Sequence, residues 1–359
     1  MWAVKNFGGV QMRRLLLCLL MLASSACFGN ELIVSRDYLE DAVIQDADLL
    51  NGAPIDAVAL HNVSESLWEV GVGTAILTRG NLSGGPILVE RFPNDGTTLV
   101  NANQFGFDWA AGPDISAIRK LKSGRFFDAV DFRFFDVQAI SGSQFQQLAG
   151  TGVLFIKFPV DSGGSLPTSV LTSVASTYGT ELYSFEANGR RRIADTNAAW
   201  LVGFRWIQLN DVLSLQGPTS ANSPFWQWNT NNNLYGCQIG AYVPLIDTNR
   251  VVIACSPKAG IYGNQAANAW SDGNAGITNR RNSDFTNQIA FAGDLAVTAS
   301  YRISKRVAIQ GGYQLLWLNG VAVGGDQPTA ISSAGVATGI NSGGSAFFHG
   351  ALASLVIGF

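Results

Sequence analysis

AAWLVGFRWIQLN, residues 198–210, poses the question of the fold. Trp200, Val202, Phe204 and Trp206 take every second position, with Gly203 and Arg205 between them. Successive side chains of a β-strand point to opposite faces, so the stretch predicts a strand with one aromatic side and one side that carries a guanidinium. A half-exposed soluble sheet accepts that pattern, because Arg205 would face bulk water there at no cost. A closed barrel wall accepts it too, with lipid against the rings and enclosed water against the arginine. The rest of the chain has to choose.

The alternation recurs from about residue 67 to the end, and helical periodicity never persists. LWEVGVGTAILT (67–78), FGFDWAAGPDISAIRKL (105–121), FFDAVDFRFFDV (126–137) and TELYSFEAN (180–188) precede or flank the opening stretch. LYGCQIGAYVPL (234–245), VVIACSPKAGIY (251–262), QIAFAGDLAVTASYRI (288–303), RVAIQGGYQLLWLN (306–319) and SAFFHGALASLVIGF (345–359) follow it. These make ten strands; PILVERF (86–92) and VLFIKFPV (153–160) would raise the count to twelve. The polar faces carry few lysines and several groups suited to a confined, hydrogen-bonded space. In hydrocarbon only a closed barrel leaves no β-strand edge unsatisfied, so the chain reads as an all-β, closed antiparallel transmembrane barrel.

Composition agrees. Charged residues are 14% of 359, against roughly 25% in ordinary globular proteins. No run of about 20 apolar residues exists to make a membrane helix. A net charge of -3 argues for no nucleic acid. Residues 1–29 read as a signal peptide, with Arg13 and Arg14 before the apolar core Leu15–Ala23 and the small residues of SSACFG after it. Met12 is an alternative start, and Cys27 an alternative lipidation site that Ser24 fits poorly. Residues 30–66, with the acidic run RDYLEDAVIQDADLL, read as a periplasmic or lumen segment, and 67–359 as the barrel. Cys237 and Cys255 remain after the leader, on apolar faces and too far apart in register to bond.

The connections alternate in length when followed back from the C-terminus: 320–344 long, SK short, 263–287 long, IDTNR short, 211–233 long, NGRRRIADTN medium. Short periplasmic turns and long outer loops are the pattern of outer-membrane barrels. Leu355, Ile357 and Phe359 alternate to a terminal aromatic, which makes the last strand the expected handle for the barrel assembly machinery.

Parity assigns the faces. Asp114, Asp131, Arg133, Glu186, Arg205, Gln238, Lys258, Asp294, Arg302, Gln310 and Gln314 are expected in the lumen, as a structural network or a selectivity lining. Trp68, Trp109, Trp200, Trp206, Tyr313, Trp317 and Phe359 are expected to meet outer-membrane lipid or its interfaces. Turns centred on KSGR, IDTNR and Ser304 predict Asp114 opposite Arg133, Gln238 opposite Lys258 and Asp294 opposite Gln314.

The blocks GTELYSFEANGRRRIADTNAAWLVGFRWIQLND, NNLYGCQIGAYVPL, FAGDLAVTASYRISKRVAIQGGYQLLWLNGVAV and AFFHGALASL resemble the beta-barrel porin-7 family of bacterial outer-membrane proteins. The resemblance covers roughly 67–359 and is strongest from residue 180 onward. It implies an outer-membrane barrel and no particular substrate.

Chemistry is sparse. Only His61 and His349 could serve as imidazole bases, no zinc-ligand spacing occurs, and no glycine-rich stretch ends in the Lys-Ser/Thr of a phosphate loop. No enzyme activity, cofactor or metal is expected, and an omptin-like hydrolase is a distant third reading. The first is a narrow porin for passive diffusion of small polar solutes. The alternative is a non-conducting surface, adhesive or structural barrel that binds partners through its outer loops, especially SPFWQWNTNNN (223–233) with its exposed-looking aromatics. A barrel of eight to ten strands has an interior that side chains largely fill, which weighs against a wide pore.

Overall fold

The computed structural model describes residues 67–81, 87–92, 98–121, 126–147, 153–156, 171–193, 196–218, 223–274, 277–330 and 339–359. The expected leader, the segment 30–66 and the KSGR turn lie outside the described residues. In chain order the strands are β1 (Trp68–Arg79), β2 (Ile87–Phe92), β3 (Thr98–Asn101), β4 (Ala110–Lys120), β5 (Ala129–Gln147), β6 (Val153–Ile156) and β7 (Ser173–Arg192). Then come β8 (Ala199–Gln216), β9 (Phe225–Asp247), β10 (Val251–Asn274), β11 (Ile277–Arg302), β12 (Val307–Val321) and β13 (Gly344–Gly358).

Ten of these close into one antiparallel barrel in the order β1-β13-β12-β11-β10-β9-β8-β7-β5-β4. They are the ten strands expected from alternation. The seam is β1 on β13, and backbone bonds between Trp68 and Phe359 extend it by one pair. The two segments that would have made twelve strands are not in the wall: β2 and β6 join β3 in a separate three-stranded sheet. At six and four residues they are too short to serve as wall strands, and Leu88, Val89, Val100 and Leu154 bury into the same apolar cluster as Tyr178 and Phe348.

Two expected long loops are strands instead. β10 ends at Asn274 and β11 begins at Ile277, so 263–287 is a hairpin that extends far beyond the region read as strand, and β8 and β9 likewise take in most of 211–233. The stretch 223–233 is therefore not a set of exposed loop aromatics: Trp226 is buried and Trp228 is 0% exposed.

The cause of the misreading is an inversion of polarity along each strand while its parity stays fixed. On β8 the outward residues run from Trp200, Val202, Phe204 and Trp206 to Gln208, Asn210 and Ser214. The inward residues run the opposite way, from Gly203 and Arg205 to Ile207, Leu209, Leu213 and Leu215. β9 repeats it, with Tyr235, Cys237 and Ile239 outward beside inward Gln238, then Asn229, Asn231 and Asn233 outward beside inward Trp226, Trp228 and Leu234. The barrel thus has an apolar outer band around a polar lumen toward the short-turn rim. Toward the other rim it has a polar outer wall around an apolar core, the arrangement of a barrel standing in water. Burying each large apolar side chain of that core contributes about 1.5–3 kcal/mol.

Candidate functional site: the barrel lumen

At mid-height, inside the apolar band, inward side chains meet across the barrel. Arg205, 1% exposed, donates from Nε to Ser184 Oγ (2.9 Å) and from Nη1 to Asp294 Oδ2 (2.8 Å). Gln314 Nε2 donates to the same Asp294 oxygen (2.8 Å), and its own Oε1 accepts from Arg133 Nη2 (3.0 Å). Arg133 also grips Asp114 with both ends of its fork (3.0 and 2.8 Å). A second chain runs beside the first: Glu186 accepts from Lys258 Nζ (2.5 Å) and Gln238 Nε2 (2.6 Å). Gln238 also donates to Asn188 Oδ1, Asn188 donates to Asp131, and Arg190 donates to the other oxygen of Asp131.

Five of these links join strands that are not neighbours. Arg205–Asp294 connects β8 with β11, Arg133–Gln314 connects β5 with β12, Lys258–Glu186 connects β10 with β7, and Gln238 connects β9 with β7 through both Glu186 and Asn188. They are struts through the lumen rather than rungs along the wall. The ion pairs hold four carboxylates (Asp114, Asp131, Glu186, Asp294) and four cations (Arg133, Arg190, Arg205, Lys258), so these eight described groups sum to no net charge. A charge-balanced layer presents no field of one sign to draw an ion through.

The expected registers are each displaced by two residues. Asp114 faces Phe135, Gln238 faces Gly260 and Asp294 faces Leu316. Thr248 and Ser304, taken as turn centres, open their turns instead: the Val251 amide donates to Thr248 Oγ1, and the Arg306 and Val307 amides donate to Ser304 Oγ. An even displacement keeps every side chain on its face, and diagonal neighbours lie within reach of long side chains. Asp114–Arg133 and Asp294–Gln314 therefore bond as diagonals, whereas Gln238 and Lys258 meet only through Glu186.

A second polar cluster, absent from the sequence reading, sits higher in the apolar core. Arg79 Nη1 donates to Asp211 Oδ1 (2.7 Å) and Thr180 Oγ1 (2.6 Å), and the rings of Phe107, Tyr178 and Phe348 lie 5.1–5.8 Å from its guanidinium carbon. Asp211, 0% exposed, also accepts from Tyr178 Oη (2.7 Å) and from the amide of Gly324 (3.0 Å), while Tyr178 Oη accepts from the amide of Gly325 (3.1 Å). These glycines begin a 3-10 helix, 324–330, in the connection from β12 to β13. Gly320, at φ 76°, turns the chain toward the core, and Asn232 holds both the amide and the carbonyl of Ala322 at 2.7 Å. The connection is thereby tied into the barrel as a cap. Within it, burial pushes the Asp326 carboxyl above its ordinary range, against the pull of Arg79. Parity could have found Asp211, which shares the inward phase of Arg205 on one strand; nothing local pairs it with Arg79.

The remaining expected site residues lie elsewhere. Arg302 is at the short-turn end of β11, and Gln310 bonds Ser354 Oγ at 3.4 Å. Trp200 and Trp206 lie on the outward parity of β8 and Tyr313 and Trp317 on that of β12; Trp109 and Phe359 are exposed, and Trp68 carries Arg119 5.3 Å from its ring. His349 is outward too: Tyr313 Oη is 2.7 Å from its Nδ1 and Trp109 stands edge-on to it. Cys237 is exposed and Cys255 buried, both as free thiols; Cys237 pairs with Ile261 and Cys255 with Val243.

No protein-family model matches the chain, and no curated protein does. Among solved structures it is similar to the outer membrane protease OmpT from Escherichia coli, at 9% identity and TM-score 0.40, over 83% of this chain and 98% of that one. It is also similar to the P. putida toluene transporter TodX (8%, TM-score 0.27, 84% and 92% covered) and an anion-selective porin from Comamonas acidovorans (10%, TM-score 0.16, 81% and 98% covered). The three differ in what they do, and the ten-stranded barrel here rests on its own strand pairing.

Proposed function

We propose that the chain is an integral outer-membrane barrel with a closed lumen, acting through its surface as a structural or binding protein rather than as a diffusion pore. The observation that carries this reading is the neutral set of struts across the barrel at mid-height. The tethered cap above it adds a second closure. In this reading the apolar band, with Val72, Ile115, Ile239, Ile261 and Ile309 exposed on it, is covered by acyl chains, since a water-exposed patch of that extent would drive association. The rings of Trp68, Trp109, Trp200, Trp206, Tyr313, Trp317 and Phe359 then meet lipid and its interfaces, and the seam strand β13 is what the assembly machinery would recognise. The lumen charges brace the wall, and no catalytic role is assigned to any residue.

The narrow-porin reading uses the same polar lumen, so one measurement separates the two. Folded protein, identified by heat-modifiable gel migration, is added to a planar bilayer. No stepwise current is expected; steady unitary conductance from the wild-type chain would replace this reading with the porin.

A further inference from the structure

On the polar part of the outer wall, β5 and β7 to β11 line a groove of about 620 Å³, continuous through Asn229, Ala269 and Ser283 with a second of about 440 Å³. Its floor is made of small residues, Gly179, Ala267 and Ala269, and a Cβ added at Gly179 would meet nothing within 4 Å. A ladder of amides runs through its lining at Asn210, Asn229 and Asn231 and continues beyond it to Asn233 and Gln227. Asn233 donates to Asn231, Asn231 to Asn210 (each 2.5 Å), Asn210 to Glu181 (3.2 Å), and Gln227 to Asn229 (3.0 Å). An amide has two N–H donors and two lone pairs, so each such bond leaves capacity for a ligand. Phe285, 76% exposed, and Val212, 39% exposed, are apolar surfaces in the same lining.

Fixed donors and acceptors beside an exposed ring match a sugar, whose hydroxyls each donate and accept and whose C–H face is apolar. An acyl chain in the groove would strip the amides of hydrogen bonds. A phosphate-rich ligand would want more cations than the single arginine, Arg281, in the described lining. The groove also opens sideways from the wall, above the aromatic ends of the apolar band at Trp206 and Tyr235, and so toward the molecules around the barrel rather than along its axis. We propose that it binds uncharged sugar residues in the headgroup of the surrounding outer-leaflet glycolipid. This rests on the membrane reading above, though not on the closed lumen.

The test uses purified, folded barrel in detergent free of glycolipid, with the phosphate-free core oligosaccharide released from that glycolipid as probe. Saturation-transfer NMR and calorimetry follow binding to the wild type, Gly179→Tyr, which fills the floor, and Asn231→Leu, which breaks the ladder. The wild type is expected to bind, and each variant to bind at least about tenfold more weakly with unchanged heat-modifiable migration, the scale of one or two lost hydrogen bonds. No saturation transfer to the wild type, undiminished binding by Gly179→Tyr, or equal binding of an unrelated neutral glucan would each overturn the proposal. Failure of the membrane reading would show separately, as protein that stays monodisperse without detergent.

Discussion

Replacing Arg205 with methionine removes the cation that pairs with Asp294 from across the lumen. Arg205 and Asp294 have side-chain exposures of 1% and 2%, and their N–O distance is 2.8 Å. After the substitution Asp294 keeps the Gln314 amide, 2.8 Å away, but no compensating charge from β8. Breaking a buried pair on one side typically costs about 3–5 kcal/mol, which is two to four decades in the folding equilibrium. Replacing both partners with apolar residues of similar volume is often neutral or stabilising. Arg205→Met alone is therefore expected to fall well below wild type, and the pair Arg205→Met with Asp294→Leu to recover most of the loss. Guanidinium titrations in detergent micelles, followed by tryptophan fluorescence in both the folding and unfolding directions, measure this. A single variant within about 0.5 kcal/mol of wild type, the range of an ordinary surface change, would refute the strut. So would a double variant as damaged as the sum of the singles.

Two further outcomes follow from the polarity inversion and the cap. Phe204→Arg puts a charge in the apolar band and should cost roughly 2–4 kcal/mol of folding into bilayers, whereas Ser214→Arg, higher on the same face of β8, should cost at most about 1 kcal/mol; equal costs would abolish the boundary drawn between them. Because the Asp326 carboxyl is raised by burial, its contribution is fully present below the ordinary carboxylate range and is lost as pH rises through the raised value. Hydrogen-exchange protection at Gly324 and Gly325 should accordingly be higher at acid pH, and Asp326→Asn should make it high and independent of pH; wild-type protection that rises with pH would contradict this.

The wall was legible in the sequence because parity survives any change of surroundings. Trp200 to Trp206 and Arg205 fall on the expected sides of β8, and all ten wall strands were found. Their outer halves were not. The stretch 229–233 has the composition of a loop, yet Asn229, Asn231 and Asn233 are outward strand positions whose inward neighbours Trp228 and Leu234 supply the core. The mid-height network was half legible: which residues face inward follows from alternation, but that Arg205 meets Asp294 depends on barrel curvature and not on any spacing. Arg79 and Asp211 lie 132 residues apart, and no local pattern joins them. The loop-length rule failed at 263–287 for the same reason as the amides did, since a strand in water uses the residues of a turn.

The row of outward amides and carboxylates just beyond the rings also acts as a waterline. Asp136, Glu181, Gln208, Asn233, Gln265 and Asn287 face outward on β5 and β7 to β11, each just beyond the last outward rings or apolar residues of its own strand. In the membrane reading proposed above, sinking the cylinder by two residues would drag each of these groups into hydrocarbon at a few kcal/mol apiece. Raising it by the same amount would lift Trp206, Phe291 and Trp317 out of it. In that reading the draught of this vessel is set by its own hull, and a thinner or thicker bilayer must deform to meet it.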